Sequence, residues 1–141
     1  MDTTPASWTA TQAAAAYGAA LLVIGALDAL WLGWLARDFY RDAMGDLMRP
    51  DVRWGPALVF YVAYPAGLVA LALTPLPPNA LQAVWRGALL GVIAYGVYDM
   101  TNLATLKGWS ARLSIVDMAW GTFVSAMAAL AAWSAASRFM R

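Results

Sequence analysis

The sequence contains no histidine, no cysteine and no glutamate, and only 12% of its 141 residues are charged. Without thiols there is no disulfide, no thiolate nucleophile and no Cys/His zinc site; without imidazole there is no His-ligated haem and no histidine general base. A net charge of +1 offers no basic field, which excludes nucleic acid as a partner. What the chain has in excess is apolar: 62% of it is hydrophobic, against about 45–50% in an ordinary soluble domain. That balance excludes a soluble enzyme. A transmembrane helix needs about 20 apolar residues, so the chain has room for roughly four or five spans and their turns.

Residues 1–11 carry no Lys or Arg, and the apolar run behind them is too long for a signal-peptide core, so it reads as a retained span. That first span covers about 12–36, broken only by Asp28. A second, about 55–75, follows Arg53-Trp54-Gly55-Pro56 and stops at the cluster Pro75, Pro77 and Pro78. A third, about 80–106, ends at Lys107-Gly108, a cation followed by a glycine. The fourth, about 113–137, closes on Arg138 and Arg141. The expected fold is all-α: an antiparallel four-helix bundle integral to a membrane, one transmembrane domain over residues 1–141. Between the first two spans, apolar residues at 39, 40, 43, 44, 47 and 48 have the one-sided spacing of an amphipathic helix lying in the membrane interface over about 37–49. Its charges form an Asp38/Asp42/Asp46 column and an Arg37/Arg41/Arg49 column, suited to a solvated face or to a lid over a polar head group.

With both termini on side A, side B carries the connections after the first and third spans. Side B holds six cations (Arg37, Arg41, Arg49, Arg53, Lys107, Arg112) and side A three (Arg86, Arg138, Arg141), so the positive-inside rule makes side B cytoplasmic. Five Trp (31, 34, 54, 109, 120) fall toward side B and three (8, 85, 133) toward side A, as interfacial belts.

Of the eight acids, Asp2 belongs to the terminal tail and Asp38, Asp42, Asp46 and Asp51 to the first loop, which leaves Asp28, Asp99 and Asp117 inside spans. Given the span directions, all three lie in one layer, about 7–13 Å from side B at 1.5 Å per residue. A charged Asp costs about 2.5–3.5 kcal/mol at the centre of a membrane helix, so these three are expected to face inward. Stripes of small residues lead to each of them: Ala83, Gly87, Gly91, Tyr95, Asp99 and Asn102 in the third span; Gly18, Leu21, Gly25 and Asp28 in the first; Asp117, Gly121, Ser125, Ala128 and Ala132 in the fourth. Such stripes let helix backbones approach closely. The pattern predicts a bundle pinched at side A and opened at side B into a blind, carboxylate-walled cavity, with Tyr61, Tyr64, Tyr98, Thr101, Trp31 and Trp120 available to line it. The plainer alternative is structural: small residues as packing devices, aromatics as anchors, and the acids bound to hydroxyls, amides or Arg37, Lys107 and Arg112.

Three close carboxylates cannot all carry charge in a low-dielectric layer unless a cation is bound. Two chemistries follow. A protonated and an ionised Asp can act as acid and base on a lipid-like substrate, with Asp28, Asp99 and Asp117 as catalytic candidates, Tyr95 or Tyr98 as donor, and Lys107 or Arg112 holding a head group. Alternatively, Asp28, Asp99, Asp117 and Asn102 supply oxygen ligands to a hard divalent cation such as magnesium or calcium.

The stretches Leu27-Asp28-Ala29-Leu30-Trp31-Leu32-Gly33 with Asp38-Phe39-Tyr40-Arg41, then residues 95–109 around Tyr98-Asp99-Met100-Thr101-Asn102, then Val116-Asp117-Met118-Ala119-Trp120-Gly121-Thr122, resemble the hallmark segments of a bacterial membrane-protein family known as a domain of unknown function, number 2177. The resemblance covers essentially the whole chain and implies a four-span protein of the bacterial inner membrane. It brings no established activity, and through the lipid-modifying enzymes that such members accompany it tilts toward lipid chemistry. Three functions remain open: binding or acting on a membrane lipid or other small amphipathic molecule admitted from side B; a proton-coupled four-span transporter working around Asp28; or a non-catalytic assembly partner of another membrane complex. The protein is expected as a monomer or homodimer.

Overall fold

The structure is a computed structural model and describes residues 8–139. Asp2, assigned above to the tail, and Arg141, counted with the cations of side A, lie outside the described residues. The chain is all-α. Four long apolar helices, α1 (Ala10–Leu30), α3 (Trp54–Ala72), α4 (Ala80–Thr105) and α5 (Ala111–Ser137), pack together, with a short helix α2 (Arg37–Met44) between the first two. Each of the four is long and apolar enough to cross a membrane. Large side chains on their outer faces, among them Leu22, Val59, Leu71, Leu81, Val97 and Ile115, are exposed; hydrocarbon is the solvent that suits such faces.

Local signals set the helix starts. Thr9 and Gln12 cap α1 reciprocally, Thr9 Oγ1 accepting from the Gln12 amide at 3.1 Å and Gln12 Oε1 from the Thr9 amide at 2.9 Å. The side chains of Asn79 and Ser110 accept from the amides of Gln82 and Leu113 at 3.0 Å each, capping α4 and α5. Gly108, at φ 84°, makes the tight turn between those two helices.

The first candidate span runs from Ala10 to Leu35, close to the expected 12–36, but its last turn is irregular: from Trp31 to Leu35 it widens into a π turn, closed by the Ala36 amide bonding to the Trp31 carbonyl at 2.7 Å. One expectation needs correction on the way to α3. The interfacial helix expected over 37–49 stops at Met44. Gly45 adopts φ 49°, a left-handed conformation that ends the helix well before Pro50, and Gly45–Leu47 form one 3₁₀ turn. The charged face of α2 is solvated, with Arg41 bonded to Asp38 at 2.9 Å and lying 3.7 Å from Asp42. These ion pairs are exposed and add little stability.

α5 packs against α4 and α1, α3 packs against α1, and α3 touches α4 sparingly. At the side A end the core is made of small residues, including Ala16, Ala20, Ala83, Ala128, Ala129, Ala132 and Ala136, filled in by Ile24, Leu68, Leu73 and Val124. Arg86 Nη1 donates to the Pro75 carbonyl at 2.9 Å and Trp133 Nε1 to the Pro77 carbonyl at 2.8 Å, which fastens the α3–α4 connection over this end. The small-residue stripes expected on α4 and α5 are buried, Ala83, Gly87 and Gly91 on one and Gly121, Ser125, Ala128 and Ala132 on the other, while Asp99, also buried, lies farther toward side B. The stripe expected on α1 is displaced. Its buried face is Ala16, Ala20, Ile24 and Asp28, at four-residue spacing, whereas a methyl group on Gly18 or Gly25 would meet nothing within 4 Å. Close approach therefore belongs to the α4–α5 seam, where a Cβ on Gly87 would sit 2.6 Å from the Ser125 carbonyl oxygen and one on Gly121 would collide with the Tyr95 ring.

Gly91→Ala is expected to destabilise the bundle by about 1–3 kcal/mol, as overpacking does, because its Cβ would press on the Gly121 backbone and the Ser125 side chain. Gly25→Ala should leave stability unchanged or raise it by up to about 1 kcal/mol. Thermal denaturation of both variants in a mild detergent checks the contrast; equal losses would refute it.

Candidate functional site in an aspartate-lined cavity

At the side B end, larger side chains hold the helices apart. Between them lies a cavity of about 640 Å³. α1 contributes Asp28 and, from its π turn, Leu32; α3 contributes Ala57, Phe60, Tyr61 and Tyr64; α4 contributes Ala94, Tyr95 and Tyr98. α5 adds Leu113, Asp117 and Trp120, and Trp109 precedes it. α2 and the turn behind it cover the remaining side with Arg37, Tyr40, Met44 and Met48. The floor is aromatic: Tyr64 stacks on Phe60 at 5.2 Å between ring centroids and meets Tyr95 edge-on at 6.3 Å. Tyr64 is pinned below by a 2.7 Å hydrogen bond shared with Ser125 Oγ.

Asp28 is 4% exposed, and both its oxygens accept hydrogen bonds from neighbouring helices. Trp120 Nε1 donates to Oδ1 at 2.9 Å and the Tyr61 hydroxyl to Oδ2 at 3.0 Å. One acid thereby ties α1 to α3 and α5. Trp120 is itself held flat against Trp31, their rings 4.5 Å apart and 7° from parallel. Trp31 Nε1 donates to the Tyr40 hydroxyl at 3.2 Å, and Tyr40 donates to Asp117 Oδ1 at 2.6 Å. Tyr40 thus anchors α2 to α5 at the cavity wall. Its burial, and then the Asp117 carboxylate, push the phenol above its ordinary pKa, so it remains a donor.

Asp99 is fully buried behind the cavity wall, next to Asp117, and neither of its carboxylate oxygens has a hydrogen-bond partner. Asp117 lies within electrostatic range of both Asp28 and Asp99. The three acids do not converge on one point: Asp28 is drawn toward Tyr61 and Trp120, Asp117 toward α2, and Asp99 lies behind the wall. Among the described residues no group of three or more acidic side chains could hold a metal ion. This corrects the divalent-cation arrangement of Asp28, Asp99, Asp117 and Asn102.

Of the other residues singled out from sequence, Tyr61, Tyr64, Tyr95, Tyr98 and Trp120 line the cavity, and Trp31 stands behind Trp120. Thr101 does not reach it, because its hydroxyl bonds the Val97 and Tyr98 carbonyls of its own helix at 2.6 and 3.0 Å. Asn102 and Lys107 are off the lining, and the Arg112 guanidinium sits 5.3 Å over the Phe39 ring. Lys107 and Arg112 are therefore not placed to hold a head group in the cavity. Tyr40 and Phe60 line the cavity in addition to the residues expected from sequence. Tyr40 carried the signal of a hydroxyl on the apolar face of an amphipathic helix, and Phe60 that of the helical spacing Ala57, Phe60, Tyr61, Tyr64.

A family model described as "Predicted membrane protein (DUF2177)" matches residues 13–134 of the chain. No curated protein and no solved structure matches it.

Tyr40→Phe removes both the donor to Asp117 and the acceptor for Trp31. It is expected to loosen α2, at about 1–3 kcal/mol for a half-buried carboxylate left short of a donor, without unfolding the four long helices. Hydrogen exchange followed by mass spectrometry should show residues 37–44 exchanging at least about tenfold faster, with α4 and α5 unchanged. Unaltered protection of 37–44 would mean that Tyr40 does not hold the helix down.

Proposed function

We propose that this chain, which belongs to the DUF2177 family of predicted membrane proteins and has four candidate spans, binds a molecule that dissolves in a bilayer, a lipid or other small amphipathic molecule, in the cavity at the side B end. The observation that carries this reading is the cavity's construction. It has the size of small-molecule pockets, about 300–1,000 Å³, and an apolar, aromatic lining around a few fixed polar groups, Asp28, Asp117 and the tyrosines. Such walls suit a ligand with a hydrocarbon part and a polar head. Sparse contact between α3 and α4 supports a lateral opening from the lipid, flanked by Phe60 and Tyr98.

The close alanine packing around Ala16, Ala83, Ala128 and Ala132 favours a blind pocket over a conduit through the membrane. That geometry is why binding is preferred here to transport, which needs polar groups on the side A half of the path. The six cations of side B against three on side A support a mouth that faces the cytoplasm, and the membrane proposed with it is the bacterial inner membrane.

A diazirine-bearing fatty alcohol, photolysed with the protein in bilayers, is expected to label peptides containing Phe60 and Tyr98 ahead of lipid-facing positions such as Leu22 and Leu81. Ala57→Trp, which places an indole in the cavity, should cut that labelling by about tenfold or more. Labelling spread evenly over the outer faces, and indifferent to Ala57→Trp, would overturn the reading.

A further inference from the structure

Given a cavity that holds an amphipathic molecule, the reading proposed above, the charges around it decide which head group fits. Among the described residues the ion pairs are those of Arg41 with Asp38 and Asp42, on the exposed face of α2. Asp28, Asp99 and Asp117 have no cationic partner there. Their hydrogen-bond donors are Trp120 and Tyr61 for Asp28 and Tyr40 for Asp117, all uncharged, and Asp99 has none. A buried carboxylate compensated only by neutral donors is costly, and like charges nearby increase the cost. What this layer lacks is positive charge.

The lining supplies one cation, Arg37, and it is exposed on α2. A phosphate or carboxylate head seated deeper would face Asp28 and Asp117, and a neutral head would leave both uncompensated. Aromatic rings from three helices surround the same space, with Phe60 and Tyr61 on α3, Tyr95 and Tyr98 on α4, and Trp120 on α5. Ring faces attract cations, most strongly where water is excluded, and carboxylates with aromatic walls together recognise alkylated ammonium groups. We propose that the cavity selects an amphiphile with a cationic head, an alkylammonium or quaternary ammonium, seated between Asp28 and Asp117 with its hydrocarbon directed past Phe60 and Tyr98.

The test compares three 12-carbon probes of different charge, dodecyltrimethylammonium, dodecanoate and dodecanol, by equilibrium dialysis of radiolabelled material against the purified protein in a non-ionic maltoside detergent. Protein-free micelles and the Ala57→Trp protein serve as blanks. The unmodified protein should retain the ammonium probe at least about tenfold more tightly than the other two, and Asp117→Asn should lower that affinity about tenfold. Equal or better retention of dodecanoate or dodecanol overturns the charge preference and leaves the cavity reading standing. Retention of none of the three above the blanks overturns both. Selectivity for the ammonium probe that survives Asp28→Asn combined with Asp117→Asn also overturns the charge assignment. Comparison of the probes on the unmodified protein does not depend on any variant folding.

Discussion

A carboxylate inside a membrane helix must find its hydrogen-bond donors within the protein, because hydrocarbon offers none. Asp28 meets that constraint by drawing a tyrosine from α3 and a tryptophan from α5 onto its two oxygens. Much of the side B half follows from it. Trp120, fixed by Asp28, presents a flat face on which Trp31 stacks, and Trp31 in turn donates to Tyr40. Tyr40 closes the sequence of contacts on Asp117, so the short helix α2 is fastened to the same polar layer that joins three of the spans. The π turn after Leu30 lies in the middle of this arrangement, placing Trp31 against Trp120 while Leu32 faces the cavity.

The two halves of the bundle use opposite packing strategies. Near the termini, alanine and glycine allow helix backbones to touch, and dispersion between close surfaces replaces the hydrophobic drive that lipid does not supply. Toward side B, tyrosine, tryptophan and phenylalanine are too large to pack in the same way, and the helices diverge around them. A cavity is the geometric result, deep where Tyr64 and Tyr95 meet and bounded by α2 at the other side. Its polarity comes from Asp28 and Asp117, whose hydrogen-bond donors are all uncharged.

Legibility from sequence varied with the kind of signal. On α4 and α5 the small residues recur at intervals of three or four over about two to three turns, long enough to define one face, and those residues are buried. On α1 nearly every residue is small or apolar, so two stripes fit equally well, and the buried one runs through Ala16, Ala20 and Ile24. Asp28 belongs to both, which is why the acid was legible while its neighbours were not. Lys107 and Arg112 show the opposite failure: proximity in sequence to the cavity mouth placed them as head-group ligands, yet Arg112 is occupied with Phe39 and neither lines the space.

By itself the sequence determined the solvent, the number of apolar helices and the level of the three acids, because these depend on composition and on the rise per residue along a helix. It also marked the small-residue faces of α4 and α5, but not that these two faces meet each other. Tertiary structure alone decided the division of labour among the acids: Asp28 bonded on both oxygens, Asp117 joined to α2, and Asp99 sealed without a partner. Helical periodicity fixes the face on which a side chain starts, but the donor it meets depends on how far each neighbouring helix is shifted and rotated. That is set by packing across the whole bundle, and no local run of residues encodes it.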